Sequence, residues 1–168
     1  MSGLILSRRD IFDPSHTFVG HGTNVVGVMA AGIAPLFARR YPGLLDAYAE
    51  HCRTWTALGR RLTGSAFVYG APDGTKVANI YSQDTPGRHA RIEWLGAGVH
   101  DALWRTPGTD PLHLPWIGAG IGGLSRLDVA IELSHEAHGS GRAIVVHELA
   151  SEPTLEPDVL ELFDHVER

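Results

Sequence analysis

The sequence predicts an α/β fold, a three-layer α/β/α sandwich built around a mixed central sheet. Short apolar segments of the kind that form strands alternate along the chain with longer segments of helical period. Two of the apolar segments run directly into glycine-rich loops, and each loop is followed by a helical segment. Alternation of this kind is typical of a sheet with helices packed on both faces.

Length and composition limit the class of protein. The chain has 168 residues, of which 43% are hydrophobic and 20% charged, and these values are typical of one globular domain, here residues 1–168. The formal net charge is −5 without a long run of one sign, so charge does not indicate a nucleic-acid target, although it does not rule one out. The single cysteine, Cys52, excludes an internal disulfide framework, and no apolar run is long enough for a membrane span. These features predict a cytoplasmic domain that does not act at a membrane.

Strands are predicted where a short apolar segment ends at turn or loop residues. The segments 65–69 and 77–81 flank Pro72-Asp73-Gly74, a typical hairpin turn, so these two strands are predicted to form a hairpin. The predicted strands are residues 4–6, 17–20, 65–69, 77–81, 112–117 and 143–146.

Helices are predicted where apolar residues recur every three or four positions. Leu44, Tyr48 and Cys52 have this spacing, and the helix before them ends at the turn signal Tyr41-Pro42-Gly43. The predicted helices are residues 32–40, 44–58, 92–104, 125–138 and 156–166.

The two glycine-rich loops, residues 20–32 and 118–123, are the candidate ligand-binding features. A glycine loop between a strand and a helix lets backbone N–H groups approach an anion closely, and two such loops suit a diphosphate. The alternative is that these glycines serve only tight turns and close packing. Neither loop is a P-loop, because no Gly-Lys-Ser/Thr follows. The second loop nearly matches the dinucleotide fingerprint, but its position late in the chain disfavours a nicotinamide-dependent oxidoreductase.

Three segments of the chain together resemble one known family. They are Asp10-Ile11-Phe12, Thr23-Asn24-Val25-Val26-Gly27-Val28-Met29-Ala30-Ala31-Gly32-Ile33-Ala34-Pro35-Leu36-Phe37 and Leu114-Pro115-Trp116-Ile117-Gly118-Ala119-Gly120-Ile121-Gly122-Gly123-Leu124. In this order they resemble the signature and the two phosphate loops of the macro domains, which bind ADP-ribose. The resemblance covers residues 4–149. It is greatest to the branch with the DNA ADP-ribosyl glycohydrolase antitoxins, the terminal ADP-ribose protein glycohydrolases and the yeast-type ADP-ribose-1''-phosphate phosphatase.

The resemblance implies a role for each matching residue. Asp10 would accept a hydrogen bond from the adenine amino group, with Ile11 beside it and His147 packed near the adenine, while Asn24 would contact the distal ribose. The other ligand contacts implied on the first loop are Gly27, Val28, Met29, Gly32, Ile33 and Ala34. Those implied elsewhere are Gln83, Gly118, Ala119, Gly120, Ile121, Gly122, Gly123 and Leu124.

The resemblance also shows two departures that bear on catalysis. Gln83 stands where the glycohydrolases of this branch carry a catalytic lysine, and Gly122 stands where the protein-directed enzymes carry an aspartate, so the lysine mechanism is not available. His21, Asn24 and Asp84 remain as catalytic candidates, with His21 or Asp84 activating a water. The alternatives are a hydrogen-bonded core histidine for His21 and a turn start for Asp84.

The resulting hypothesis is an ADP-ribose-binding domain that hydrolyses an ADP-ribosyl linkage or an ADP-ribose derivative. The alternative is a reader module that binds ADP-ribosyl groups without cleaving them. The expected partner is ADP-ribose or an ADP-ribosylated macromolecule. No cofactor is predicted, and no metal site either, because His135 and His138 are three residues apart rather than the four of a zinc-binding H-E-x-x-H motif.

Overall fold

Helices cover both faces of a mixed sheet, which confirms the predicted fold class. The computed structural model describes residues 2–167, and within this range it has seven strands and five helices. The strands are β1 (Gly3–Ser7), β2 (Phe18–Thr23), β3 (Ala66–Gly70), β4 (Lys76–Tyr81), β5 (Leu112–Leu114), β6 (Ala143–His147) and β7 (His165–Glu167). The helices are α1 (Ala34–Arg40), α2 (Leu44–Ala57), α3 (Ile92–Arg105), α4 (Arg126–Ser140) and α5 (Pro157–Leu160).

The order of strands across the sheet is β3-β4-β2-β5-β6-β1-β7. The predicted hairpin is present, because β3 pairs antiparallel with β4, and all other neighbouring strands pair in parallel. The carboxyl ends of β1, β2, β4, β5 and β6 therefore meet at one edge of the sheet. The loops that follow these strands are brought together there, where open α/β sheets bind their ligands.

Apolar side chains fill the space on each face of the sheet. Helices α3, α4 and α5 cover one face with buried residues such as Leu95, Val99 and Leu133. Helices α1 and α2 cover the β2–β4 half of the other face, where Phe37 and Tyr48 are fully buried. The rest of that face carries a small separate cluster of Ile5, Ala143 and Val145.

Two predicted boundaries are wrong near the end of the chain. The strand predicted at residues 112–117 stops at Leu114, because Pro115 has no N–H to continue the ladder. The helix predicted at residues 156–166 covers only Pro157–Leu160 and is followed by β7. The reason is tertiary: the backbone N–H of Asp164 donates to the Leu4 carbonyl over 2.8 Å, and the Asp164 carboxylate accepts from the Leu4 N–H over 2.8 Å. This segment covers β1, which would otherwise be an open sheet edge.

Among the helices of residues 2–167, none combines the length and apolar character needed to cross a bilayer.

Candidate ligand-binding site

A cavity of about 870 Å³ lies at the carboxyl edge of the sheet. Its walls come from the loops that follow β1, β2, β4, β5 and β6. This volume falls in the range of small-molecule sites, which is about 300–1,000 Å³. One end of the cavity lies over β4, β2 and β5, and the other over β6 and β1.

The loop after β2 forms one wall, and the side chain of Asn24 holds its shape. The side-chain Oδ1 of Asn24 accepts hydrogen bonds from the Val26 backbone N–H over 3.0 Å and from the Tyr48 hydroxyl over 2.9 Å. The Asn24 amide nitrogen donates to the Val28 carbonyl over 2.8 Å. These bonds order the loop before any ligand arrives, which reduces the entropy that binding would cost.

The loop after β5 forms the facing wall, and at Gly122 it is packed too tightly to hold a side chain. A Cβ added to Gly122 would lie 2.7 Å from both the Ala90 Cβ and the Gly118 carbonyl oxygen. The backbone of this loop therefore rests directly on the segment after β4. The loop ends at Ser125, whose hydroxyl accepts from the Asp128 N–H over 3.0 Å and caps α4.

The two glycine loops approach each other across the mouth of the cavity. The position that a Cβ would take on Gly32 lies 3.5 Å from the Cδ1 atom of Ile121. Gly32 has a φ of +62°, a left-handed conformation that favours glycine. The walls can therefore enclose an elongated ligand from both sides.

The loop after β1 closes the β6–β1 end. Asp10 lines the cavity, and one of its carboxylate oxygens accepts from the Phe12 N–H over 2.9 Å. The backbone beside it is held by His147, whose Nδ1–H donates to the Arg9 carbonyl over 2.8 Å. Ile11 is buried. Asp10 therefore keeps an acceptor for an N–H donor on a ligand.

Comparison with known proteins agrees with this architecture. No family model matches the sequence. The chain is 33% identical over 111 residues to the DNA ADP-ribosyl glycohydrolase of Mycobacterium tuberculosis, a match that covers 63% of this chain and 30% of that protein. It is 21% identical over 151 residues to the ADP-ribose 1''-phosphate phosphatase of Meyerozyma guilliermondii, covering 72% of this chain and 86% of the other.

A solved structure identifies the fold. The macrodomain of Mycobacterium tuberculosis DarG superposes with a TM-score of 0.73 and 26% identity, covering 88% of this chain and 99% of that one. The chain has the macrodomain fold. It spans only about 30% of the length of the mycobacterial glycohydrolase that it matches.

The macrodomain fold brings most of the sequence-predicted ligand residues to the cavity. Those that line it are Asp10, Ile11, Asn24, Val28, Gly32, Ile33, Ala34, Gln83, Gly118, Ala119, Gly120, Ile121, Gly122 and His147. Those that do not line it are Gly27, Met29, Gly123 and Leu124, together with the catalytic candidates His21 and Asp84. Binding by the lining residues stays a prediction.

His21 lies inside the core rather than in the cavity. Its side chain is fully buried, stacks on Phe37 at a centroid distance of 4.2 Å, and shares a 2.9 Å hydrogen bond between its Nε2 and the Asn79 Oδ1. Burial lowers the pKa of His21 to about 4. This placement matches the alternative of a hydrogen-bonded core histidine.

Asp84 is exposed and starts a turn. Its carboxylate accepts from the Thr85 backbone N–H over 2.8 Å, which matches the alternative that the sequence left open. Gln83 lines the cavity, and its amide nitrogen donates to the Thr85 carbonyl over 2.9 Å.

Sequence reasoning missed a charged group at the β6–β1 end. Glu148 is 5% exposed and lies 3.5 Å from Arg126, and Arg126 also pairs with Glu152 at 3.0 Å. Burial raises the pKa of Glu148 and Arg126 opposes that shift. Glu148 directly follows β6, and a charged residue at the end of a predicted strand could have been chosen as a site candidate. Its partner Arg126 is 22 residues away along the chain, so no local pattern indicates the pair.

The acidic and basic side chains of the lining are unevenly distributed. The ionisable side chains at the β6–β1 end are Asp10, Glu148, Glu152, His147, Arg8, Arg9 and Arg126. At the other end, the lining residues from β2, β4, β5 and their loops carry only amide, hydroxyl and apolar side chains, Asn24, Ser82 and Gln83 among them. Within the described lining, that end therefore holds no group able to take up a proton at neutral pH.

Proposed function

We propose that this macrodomain binds ADP-ribose in the cavity and hydrolyses an ADP-ribosyl linkage at the β4–β2–β5 end. The observation that carries the proposal is the convergence of the two glycine loops at Gly32 and Ile121, over one cavity that has Asp10 at one end and Gln83 at the other. Both curated relatives act, by name, on ADP-ribosyl compounds. An elongated ligand with a central diphosphate fits this arrangement.

The free acceptor of Asp10 supports an orientation with the adenine at the β6–β1 end. A carboxylate oxygen accepts from an exocyclic amino group and rejects a carbonyl in the same place. The diphosphate then lies between the glycine loops, and the distal ribose reaches Gln83. This orientation places the scissile linkage where the lining has no charged side chain.

The proposed chemistry depends on orientation rather than on a protein base. The oxygen of a water bonds to the ribose carbon as the linkage breaks, and the proton that the water gives up passes to the leaving group. The Gln83 amide can hold the water by a hydrogen bond but cannot take its proton. Held in line with the breaking bond, the water reacts without the cost of finding that geometry.

We propose a nucleic-acid strand as the macromolecular target, on the basis of arginines beside this end of the cavity. The guanidinium of Arg88 lies 3.3 Å from the position of a Cβ on Gly123. Those of Arg91 and Arg61 lie over the Trp94 ring, at 4.7 and 5.6 Å from its centroid. Arginine side chains next to a site favour phosphates by charge, whatever the net charge of the whole chain. The relative with 33% identity is named a DNA ADP-ribosyl glycohydrolase, which supports this target.

The binding step is tested by calorimetric titration with ADP-ribose. Asp10→Ala is expected to weaken binding by about 10- to 100-fold, because a hydrogen bond to a charged group contributes about 1.5–3 kcal/mol. Asp46→Ala, which removes an exposed carboxylate on α2, is the matched control and should bind as the wild type does. Absence of wild-type binding contradicts the proposal.

The hydrolytic step is tested by release of ADP-ribose from ADP-ribosylated DNA, from ADP-ribosylated protein and from ADP-ribose-1''-phosphate. Gln83→Ala is expected to lower kcat by about 10- to 100-fold, a larger effect than on ADP-ribose affinity, because it removes the group that orients the water. Arg61→Gln and Arg91→Gln should raise KM for the DNA substrate alone, with Arg39→Gln on α1 as the control.

A non-catalytic reader is the second candidate, favoured by the uncharged lining around Gln83. Tight binding of ADP-ribose without release from any of the three substrates would establish the reader and remove the enzyme.

A further inference from the structure

Three histidines meet on the face of the sheet that α1 and α2 leave uncovered. His113 lies on β5, His147 at the end of β6, and His16 in the segment before β2. His16 and His147 are both 6% exposed. One ring nitrogen from each of the three lies within 4.8 Å of the other two. Three imidazoles converging in this way have the chemistry of a transition-metal site.

The hydrogen bonds of the Nδ1 atoms of His16 and His147 also indicate a metal site. The Nδ1–H of His16 donates to the Ile11 carbonyl over 3.0 Å, and the Nδ1–H of His147 donates to the Arg9 carbonyl over 2.8 Å. With the proton held on Nδ1, each Nε2 presents a lone pair. Metal-ligating histidines in proteins almost always donate their second ring nitrogen to a carbonyl or carboxylate in this manner.

We propose that His16, His113 and His147 form a binding site for one Zn²⁺ ion, or a divalent cation of similar preference, beside the ADP-ribose cavity. Three histidine ligands leave one position of a tetrahedral cation for a solvent molecule. The sequence does not reveal this site, because the three residues are far apart along the chain and no two have the spacing of a metal-binding motif.

His113 is the ligand that rearranges. Its Nδ1 lies 2.8 Å from the Nε2 of His147, so without a cation the Nδ1–H of His113 donates to that nitrogen. The cation replaces this proton, which moves to the Nε2 of His113. The rings of His16 and His113 stack at 3.8 Å and 17°, and a shared cation lies in the plane of each ligating ring, so the His113 ring turns on binding. Its contact with His147 is the only side-chain hydrogen bond of His113 within the described part of the chain.

Binding of the cation would fix the conformation of the loop after β1. The two carbonyls that His16 and His147 hold belong to Ile11 and Arg9, the residues on either side of Asp10. A cation that fixes both rings also fixes the backbone that carries the Asp10 carboxylate. The metal therefore stabilises the shape of the β6–β1 end of the cavity without contacting the ligand.

The test measures Zn²⁺ binding directly on the metal-free macrodomain, by competition with a chromophoric chelator and by metal content after dialysis. The wild type should retain one Zn²⁺ per chain. His113→Phe keeps an aromatic ring against His16 but removes a ligand, and should weaken this site by more than about 100-fold. His135→Ala is the control, because the side chain of His135 is exposed and belongs to a separate cluster with the partly buried Glu132 and Glu136.

Further readouts separate the outcomes. His16→Gln is the second ligand variant and decides the matter if His113→Phe does not fold, which circular dichroism shows. Co²⁺ in place of Zn²⁺ should give visible absorption in the wild type and in His135→Ala but not in the ligand variants. A wild type that retains no Zn²⁺, or a site that survives in both ligand variants, overturns the proposal. None of these readouts uses ADP-ribose, so the result is independent of the proposed function.

Discussion

His21 shows how a single residue is decided by its surroundings. A histidine at a strand end, three residues before Asn24, suits either an acid–base role or a place in the core. In the structure the His21 side chain is fully buried, its ring stacks on Phe37, and its Nε2 is hydrogen-bonded to the Asn79 Oδ1. A buried imidazole without a charged partner is neutral, because burial penalises the cation. His21 therefore contributes to stability through packing.

Acid should destabilise the fold through His21. Its pKa is about 4 in the folded chain, against an ordinary histidine pKa of 6.5. The unfolded chain therefore takes up the proton first, and stability falls as pH drops from 6.5 towards 4. Between pH 7.5 and pH 5 the loss from this residue is about 2 kcal/mol. Denaturant titrations at both pH values should show that His21→Gln loses less stability than the wild type.

The exposed residue His135 supplies the control for this measurement. His135→Gln should leave the pH dependence unchanged, because the side chain of His135 is 80% exposed. An equal loss of stability in the wild type and in His21→Gln would contradict the assignment of this acid sensitivity to His21.

At the scale of elements, contacts with the segment after β4 determine which residues fit in the loop after β5. Gly122 lies against Ala90 and the Gly118 carbonyl with no room for a Cβ, whereas a Cβ on Gly120 would meet no atom within 4 Å. The aspartate that the resemblance to the protein-directed enzymes would imply at the position of Gly122 therefore has no room in this loop. The departure from that pattern is a steric property of the contact between two loops.

Alanine substitutions at these two glycines should differ in effect. Gly122→Ala is expected to lower the free energy of unfolding by about 1–3 kcal/mol, because the added methyl group forces the loop away from Ala90. Gly120→Ala should change it by less than about 0.5 kcal/mol. Thermal unfolding of the ligand-free proteins measures both, and equal destabilisation would show that the loop does not pack as described.

At the scale of the whole molecule, the cavity connects elements from different parts of the sheet. The first glycine loop extends from β2 to α1, the second from β5 to α4, and Asp10 follows β1. A ligand that contacts all three bridges segments that are otherwise joined only through the sheet. Binding and global stability are therefore linked, because the unfolded chain has no such site.

ADP-ribose should raise the unfolding temperature. At 100 times its dissociation constant, a ligand specific for the folded state adds about 2.7 kcal/mol, which corresponds to roughly 5–10 °C for a chain of this size. Differential scanning calorimetry of the wild type and of Asp10→Ala at the same ligand concentration should show a clearly smaller rise in the variant. An unchanged wild-type midpoint would contradict a site that bridges these elements.

The sequence by itself determined the features that depend on neighbouring residues. Period, turn signals and glycine clusters predicted the fold class, six of the strands, four of the helices close to their observed bounds and both glycine loops. The resemblance to the macro domains pointed to Asp10, Asn24 and Gln83, which line the cavity. Loops at the carboxyl ends of parallel strands meet at one edge of the sheet, which brings these residues together. These features are encoded within a few residues of each other.

Only the tertiary structure decided the features that depend on contacts between distant segments. Residues 165–167 are a strand because β1 offers an open edge, although the segment was predicted as helix from its own pattern. Likewise, the pair of Glu148 with Arg126 and the meeting of His16, His113 and His147 arise from packing between different strands and loops. A local pattern carries no information about which distant side chain will lie opposite, because register and packing across the sheet set that choice.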